Sequence, residues 1–425
     1  MRAVSNLVLL EVQVSNEMNS PNKELNQRKN SGYDKLNDNP WHRNQGVLIV
    51  FLISLLVLTK LAMADDCDDI PADFNRTYFP DDFIFGTATS AYQIEGAANI
   101  LGKGPRFWDT FTHEHPERIK DHSSGDVAVD FYHRFREDIK NMKDMGFNAF
   151  RFSISWPRVI PSGKRRGGVN EEGIEFYNTV INETMHKIKE AFPIRDIGAL
   201  HYFLSLEVNH QCRAGNSSTE PYIVAHHLLL THAAVVQVYR EHYKATQNGK
   251  IRITLFTFWF EPLSNRIEDI EASKIALDFM FGLWMDPLTN GRYPRIVQDL
   301  VGDRLLKFTD KETQLLQGSY DFIGLQYYTL YNAKPNALID PDHIRYKTDS
   351  HVTETSYDYD GNLIGPQAYS SWFYIFQKGI RHLLNYTKDT YNDPVIYITE
   401  NGVDYLNNET HSIEEALQDE FRINY

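Results

Sequence analysis

The sequence predicts an α/β protein with a mainly parallel sheet, and three observations carry that expectation. From Phe79 onward, short apolar stretches alternate with longer ones whose apolar residues recur every three or four positions. The chain has 425 residues, 42% hydrophobic and 24% charged, which is enough apolar side chain for one large core. Its 24 Gly and 17 Pro are spread along the chain, which excludes a repeat array or a low-complexity tract.

Taken in order, Phe83 to Ala91 is apolar and small and suits a buried strand. Asp130 to Met145 places Phe131, Phe135, Ile139 and Met142 on one helical face, and Gly146 ends it. Phe147 to Trp156 reads as a second strand and Glu171 to Lys189 as a helix. Further strands are expected at Ile251 to Trp259, Asp321 to Tyr328 and Val395 to Thr399. Further helices are expected at Pro221 to Lys244, Ile267 to Trp284 and Ser370 to Thr387. Between Ile188 and Asn209 the run ALHYFLSLEV fits a strand or a buried helical turn equally.

Residues Gly46 to Leu58 form an apolar run with the length of a signal-peptide hydrophobic region, and Ala62-Met63-Ala64 fits a cleavage site that would start the mature chain at Asp65. The polar stretch 1–45 is unlike an ordinary leader; either the start is overextended, or the run continues through Thr59 to Met63 as an uncleaved signal anchor. The expected organisation is an extension (1–45), a leader or anchor (46–64) and one large domain (65–425). Asn-x-Ser/Thr sequons at Asn75, Asn182, Asn216, Asn385 and Asn408 favour the secretory pathway, ending outside the cell or in a vacuole. Membrane association is expected only if the leader stays uncleaved. Cys67 and Cys212, the two cysteines, either pair with each other or have each lost a partner.

A net charge of −14 disfavours nucleic acid and anionic lipid as partners and leaves a neutral small molecule easier to accommodate. No cofactor or metal is expected. Phosphate-loop spacings and the Gly-x-Ser-x-Gly elbow are absent, and His226, His227 and His232 lie in a helical stretch without accompanying ligands.

The chemistry concentrates at Ile398-Thr399-Glu400-Asn401-Gly402, where a strand ends in a carboxylate. Alone, Thr-Glu-Asn-Gly reads as easily as a turn or a helix cap. Five segments in order change that weighing: FIFGTATSAYQIEGA (83–97), FNAFRFSISWPR (147–158), STEPYIVAHH (218–227), DFIGLQYYT (321–329) and IYITENG (396–402). Together they resemble glycoside hydrolase family 1, the plant β-glucosidases of cyanogenic-glucosidase and myrosinase type.

The resemblance implies a (β/α)8 barrel and a retaining β-glucosidase that forms a covalent glycosyl-enzyme. Glu400 would be the nucleophile and Arg151 the cation that keeps it ionised. Tyr328 would hydrogen-bond the nucleophile, and Gln93 would bind the sugar hydroxyls. Gln326 stands where the family has Asn.

It also implies losses. Retention needs a second carboxyl about 5–5.5 Å from the first, and the family's Thr-x-Asn-Glu-Pro acid/base segment and its His-Trp-Asp segment are both missing. The barrel is therefore expected to be incomplete, with strands 3, 4 and 8 missing or replaced. Cys212 resembles the second cysteine of a family disulfide whose first partner lies in the lost stretch. Glu183, Glu220 and Glu261 imitate the acid/base but lie in the wrong places, and Glu207 is a remote candidate; the acid/base residue is unknown. Two functional expectations follow: a glucosidase acting only on aglycones that leave unaided, or a catalytically inactive, truncated member or faulty gene model. The aglycone and the oligomeric state are not legible.

Overall fold

The computed structural model describes residues 6–8, 74–81, 83–119, 121–188, 215–336, 344–405, 411–423 and 425. The expected leader (46–64), Cys67, Cys212, Glu207, Asn408 and the stretch 189–209 lie outside them. The chain divides into two compact units, Ser15–Phe83 and a larger one made of Met1–Val14 and Ile84–Tyr425. In the smaller unit, Asn75 caps the 3-10 turn Arg76–Tyr78 by accepting from the Thr77 N–H at 2.9 Å.

In the larger unit, strand β1 (Asn6–Val8) lies antiparallel to β2 (Gly86–Ala88), and β2 pairs in parallel with β3 (Ala149–Arg151). Strands β2 and β3 are both shorter than expected. The strand read over Phe83 to Ala91 gives way to a helical turn, Ala91–Ile94. The one read over Phe147 to Trp156 ends after Arg151, and Pro157 favours a further helical turn at Trp156–Val159 by fixing its own φ. Helix Phe131–Asp144 buries the four residues its spacing selected. It packs Phe131, Phe135 and Ile139 against Phe176, Tyr177 and Val180 of helix Glu171–Ile188.

The second sheet is built on β5 (Phe322–Pro335), which pairs in parallel with both β4 (Arg252–Pro262) and β7 (Ile396–Glu400). Strand β5 runs well past the expected Tyr328, because its far end pairs antiparallel with β6 (Val352–Thr355), a strand the sequence did not suggest. Helix Glu220–His242 is close to its expected bounds. The helix read as Ile267 to Trp284 is Ile267–Leu277, a π turn at Asp278–Gly282, then Leu283–Asn290. The helix expected from Ser370 begins only at Lys378. Ser370 is held by the Asp404 carboxylate, its N–H at 2.8 Å, and Phe373 and Ile375 turn into an apolar cluster, so the segment has partners that helix formation would remove. The main core lies between β4, β5 and the helices around them, with Tyr222, Leu229, Phe281, Met285, Leu288 and Ile323 fully buried. Among the described residues the strands form two sheets and no closed barrel.

Candidate active site

Three strands bring their side chains together at one carboxylate. Glu400 closes β7, Arg151 closes β3 and Tyr328 lies within β5. Arg151 Nη1 donates to Glu400 Oε1, joining residues 249 apart in sequence. Their side chains are 2% and 15% exposed, so the arginine is nearly dry while the carboxylate keeps a face to solvent. A guanidinium this deeply buried needs a charged partner, and Glu400 supplies it. The Tyr328 hydroxyl donates to the other carboxylate oxygen, Oε2, at 2.5 Å. Desolvation, and then the Glu400 charge, hold the Tyr328 phenol well above its ordinary range, so it remains a protonated donor. Glu400 is thus fixed through both oxygens, one to a cation and one to a phenol.

The ladder itself slips at this point. Ile398 pairs with Leu325 but Glu400 pairs with Gln326, which leaves Thr399 as the extra residue of a bulge. The Thr399 hydroxyl donates to the Leu325 carbonyl at 3.1 Å. Gln326 is 3% exposed and, among the described residues, its Nε2 has no hydrogen-bond partner. Beside Tyr328 runs a string of aromatic rings: Phe256 at 5.8 Å, Phe258 a further 4.9 Å on, then Trp372 at 6.1 Å from Phe258.

The family model described as Glycosyl hydrolase family 1 matches residues 75–194 and 184–425. The chain belongs to glycosyl hydrolase family 1. It is therefore a glycoside hydrolase. Beta-glucosidase 24 of rice (Oryza sativa subsp. japonica) is 45% identical over 408 residues, covering 82% of this chain and 81% of the relative. The cyanogenic beta-glucosidase of Trifolium repens is 43% identical over 389 residues, covering 78% and 91%. Among solved structures, a rice β-glucosidase mutant in a covalent complex with Glc matches with a TM-score of 0.75 and 38% identity over 82% of this chain and 85% of that one. A β-glucosidase of the fungus Humicola insolens in complex with glucose matches with a TM-score of 0.72 and 32% identity, over 80% and 82%. These neighbours give the chain the (β/α)8 ancestry that its sequence segments implied.

For a family 1 site, the remaining candidates fall as follows. Gln93 is exposed on the turn Ala91–Ile94, and no hydrogen bond joins it to Arg151, Tyr328 or Glu400. Glu183 faces Arg136 and Lys187 at 3.5 and 3.3 Å. Glu220 opens helix Glu220–His242, and Glu261 accepts from Trp259 Nε1 at 2.6 Å. None of these three glutamates hydrogen-bonds the Arg151, Tyr328 and Glu400 cluster. Among the described residues no group of three His, Cys, Asp or Glu side chains is placed to hold a metal. His226 bonds the Tyr293 hydroxyl at 3.1 Å and His232 the Ser319 carbonyl at 2.6 Å. Sequence reasoning missed Asn401, whose amide donates to the Tyr327 carbonyl at 2.9 Å. Its place next to Glu400 in the ITENG segment was the available signal.

Proposed function

We propose that this chain is a retaining β-glucosidase with Glu400 as nucleophile, and the observation that carries the proposal is Glu400 fixed through one oxygen by Arg151 and through the other by Tyr328. Glu400 attacks the anomeric carbon as the bond to the glycosidic oxygen breaks, giving a glycosyl ester that water then hydrolyses. The likeness to a rice β-glucosidase mutant in a covalent complex with Glc supports this reading.

Gln326 supports it too. A buried amide without a partner is costly, and a sugar hydroxyl beside Glu400 would satisfy Nε2. Gln93 is the second polar contact we propose for the glucose. The Phe256, Phe258 and Trp372 faces suit the apolar faces of a sugar or aglycone.

The acid/base residue is unassigned, with Glu207 the remaining candidate, and strands 3 and 4 of the ancestral barrel are missing or replaced. The family model's matching in two pieces that meet at 184–194 supports an internal loss there. Without a proton donor the aglycone departs as an anion, which restricts turnover to good leaving groups. The exposed positions of Asn75, Asn182, Asn216 and Asn385 support glycosylation along a secretory route to the cell exterior or vacuole.

The test is covalent trapping. The chain, produced through a eukaryotic secretory route, is incubated with an activated 2-deoxy-2-fluoroglucoside and its intact mass measured. One glycosyl adduct mapping to Glu400 is expected. A folded sample that takes no adduct, or takes it elsewhere, overturns the assignment.

A further inference from the structure

Behind the carboxylate, two residues outside the proposed chemistry close a ring of hydrogen bonds. Asn401 Nδ2 donates to the Tyr327 carbonyl at 2.9 Å and to the Tyr425 hydroxyl at 3.0 Å. The Tyr425 hydroxyl in turn donates to the Tyr328 carbonyl at 2.8 Å. Two consecutive carbonyls of β5 are thereby tied to the side chain that follows Glu400 on β7. The Tyr425 ring packs edge-on against Phe373, with centroids 5.9 Å apart, in the apolar cluster that also takes in Ile375, Val403 and Tyr328.

The location gives these bonds their meaning. The β5 and β7 ladder slips at Thr399, so regular strand pairing does not by itself fix Glu400 relative to Tyr328. The ring of bonds spans that slip. We infer that Tyr425 is a positioning residue, which acts through Tyr328 and Asn401 to hold the phenol donor and the Glu400 carboxylate in mutual register. Tyr425 touches neither Glu400 nor a substrate in this role. The inference rests on Glu400 being the nucleophile.

The test compares the wild-type chain with Tyr425→Phe, which keeps the ring in its apolar cluster and deletes only the hydroxyl. Time courses with the activated 2-deoxy-2-fluoroglucoside give a rate constant for adduct formation and a half-saturating concentration. The expected result is a rate constant about 10- to 100-fold lower, the scale of a small misplacement of reacting groups. The half-saturating concentration should stay within about twofold, and thermal unfolding should show the variant folded. In the Tyr328→Phe background, where the phenol is gone, Tyr425→Phe should lower the rate by less than about threefold more, since positioning a group that is absent has little effect. Equal rates for wild type and Tyr425→Phe overturn the inference alone. So does the same fold loss in both backgrounds, which marks Tyr425 as a general packing residue. A folded wild type that takes no adduct overturns the nucleophile assignment and the inference with it.

Discussion

Glu95 and Arg158 face each other at 3.2 Å with side chains only 4% and 1% exposed. The Tyr177 hydroxyl donates to the other Glu95 oxygen at 2.6 Å, and Arg158 also donates to the Gly96 carbonyl at 3.1 Å. Burial pushes the Glu95 carboxyl up and the Arg158 charge opposes it. The pair joins the chain after β2 to the chain after β3, and so supports the strand that delivers Arg151. Breaking a buried pair leaves one charge stranded, so Glu95→Gln and Arg158→Met should each destabilise by about 3–5 kcal/mol. The double variant should lose well under the sum, because both desolvation penalties then disappear. Urea unfolding of the four proteins measures this, and strictly additive losses would count against a coupled pair.

The Tyr328 bond to Glu400 gives a kinetic prediction. A hydrogen bond to a charged group contributes about 1.5–3 kcal/mol, so Tyr328→Phe should slow formation of the glycosyl adduct about 10- to 100-fold. Stability should change little, since the ring keeps its contacts with Phe256 and Phe373. Stopped-time mass spectrometry reads the rate, and an unchanged rate would show that the phenol does not act on the carboxylate.

Arg151 should behave differently, because it carries charge. Arg151→Gln removes the cation that donates to Glu400 Oε1, so formation of the glycosyl adduct should slow by at least about tenfold. Stripping one partner from a buried pair also destabilises by about 3–5 kcal/mol. The measurement is the rate of labelling alongside urea unfolding. An unchanged labelling rate in a folded variant would mean Arg151 contributes packing without electrostatics.

The helical faces and the strand that ends at Glu400 were legible in the sequence for simple reasons. Phe131, Phe135, Ile139 and Met142 lie on one face at helical spacing, and all four are buried. The meeting of Glu400 with Arg151 and Tyr328 was anticipated because a family segment surrounds each of the three. Strand lengths were not legible. Composition cannot distinguish a strand from the helical turn that follows it, as at Ala91–Ile94, and the far half of β5 exists because β6 pairs with it. The contacts of Asn401 and Tyr425 were not readable, since the first reaches a carbonyl 74 residues away and the second joins it from 24 residues further on.

Leaving-group chemistry gives another prediction. With no acid assigned beside Glu400, glycosylation should depend steeply on the acidity of the departing alcohol. Dinitrophenyl glucoside should turn over at least about 10³-fold faster than an alkyl glucoside, since general acid catalysis contributes about 10²–10⁴-fold to the poorer leaving group. Initial rates over a leaving-group series test this. A flat dependence would reveal a proton donor at work, and Glu207→Gln would then be the variant to examine.

The last prediction concerns the π turn. Asp278 and Asp286 flank Gly282 so closely that a Cβ there would lie 3.1 and 3.4 Å from their carboxylate oxygens. Desolvation first, and the Asp286 charge second, raise the Asp278 carboxyl to about 6. The folded chain therefore binds this proton more tightly than the unfolded chain, where an aspartate titrates near ~3.9. The contribution to stability is fully present below about pH 4 and is lost as pH rises through about 6, leaving an ionised, poorly solvated carboxylate at neutral pH. Asp278→Asn removes that penalty. The variant should be more stable than wild type by about 1–2 kcal/mol near pH 7.5, after allowing for the partial solvent access of the site, and the gain should shrink to near zero by about pH 3. Urea unfolding across that range reads it directly. A gain that persists on acidification would show that ionisation of Asp278 is not its cause, and a loss of stability near pH 7.5 would show that the charge is stabilising.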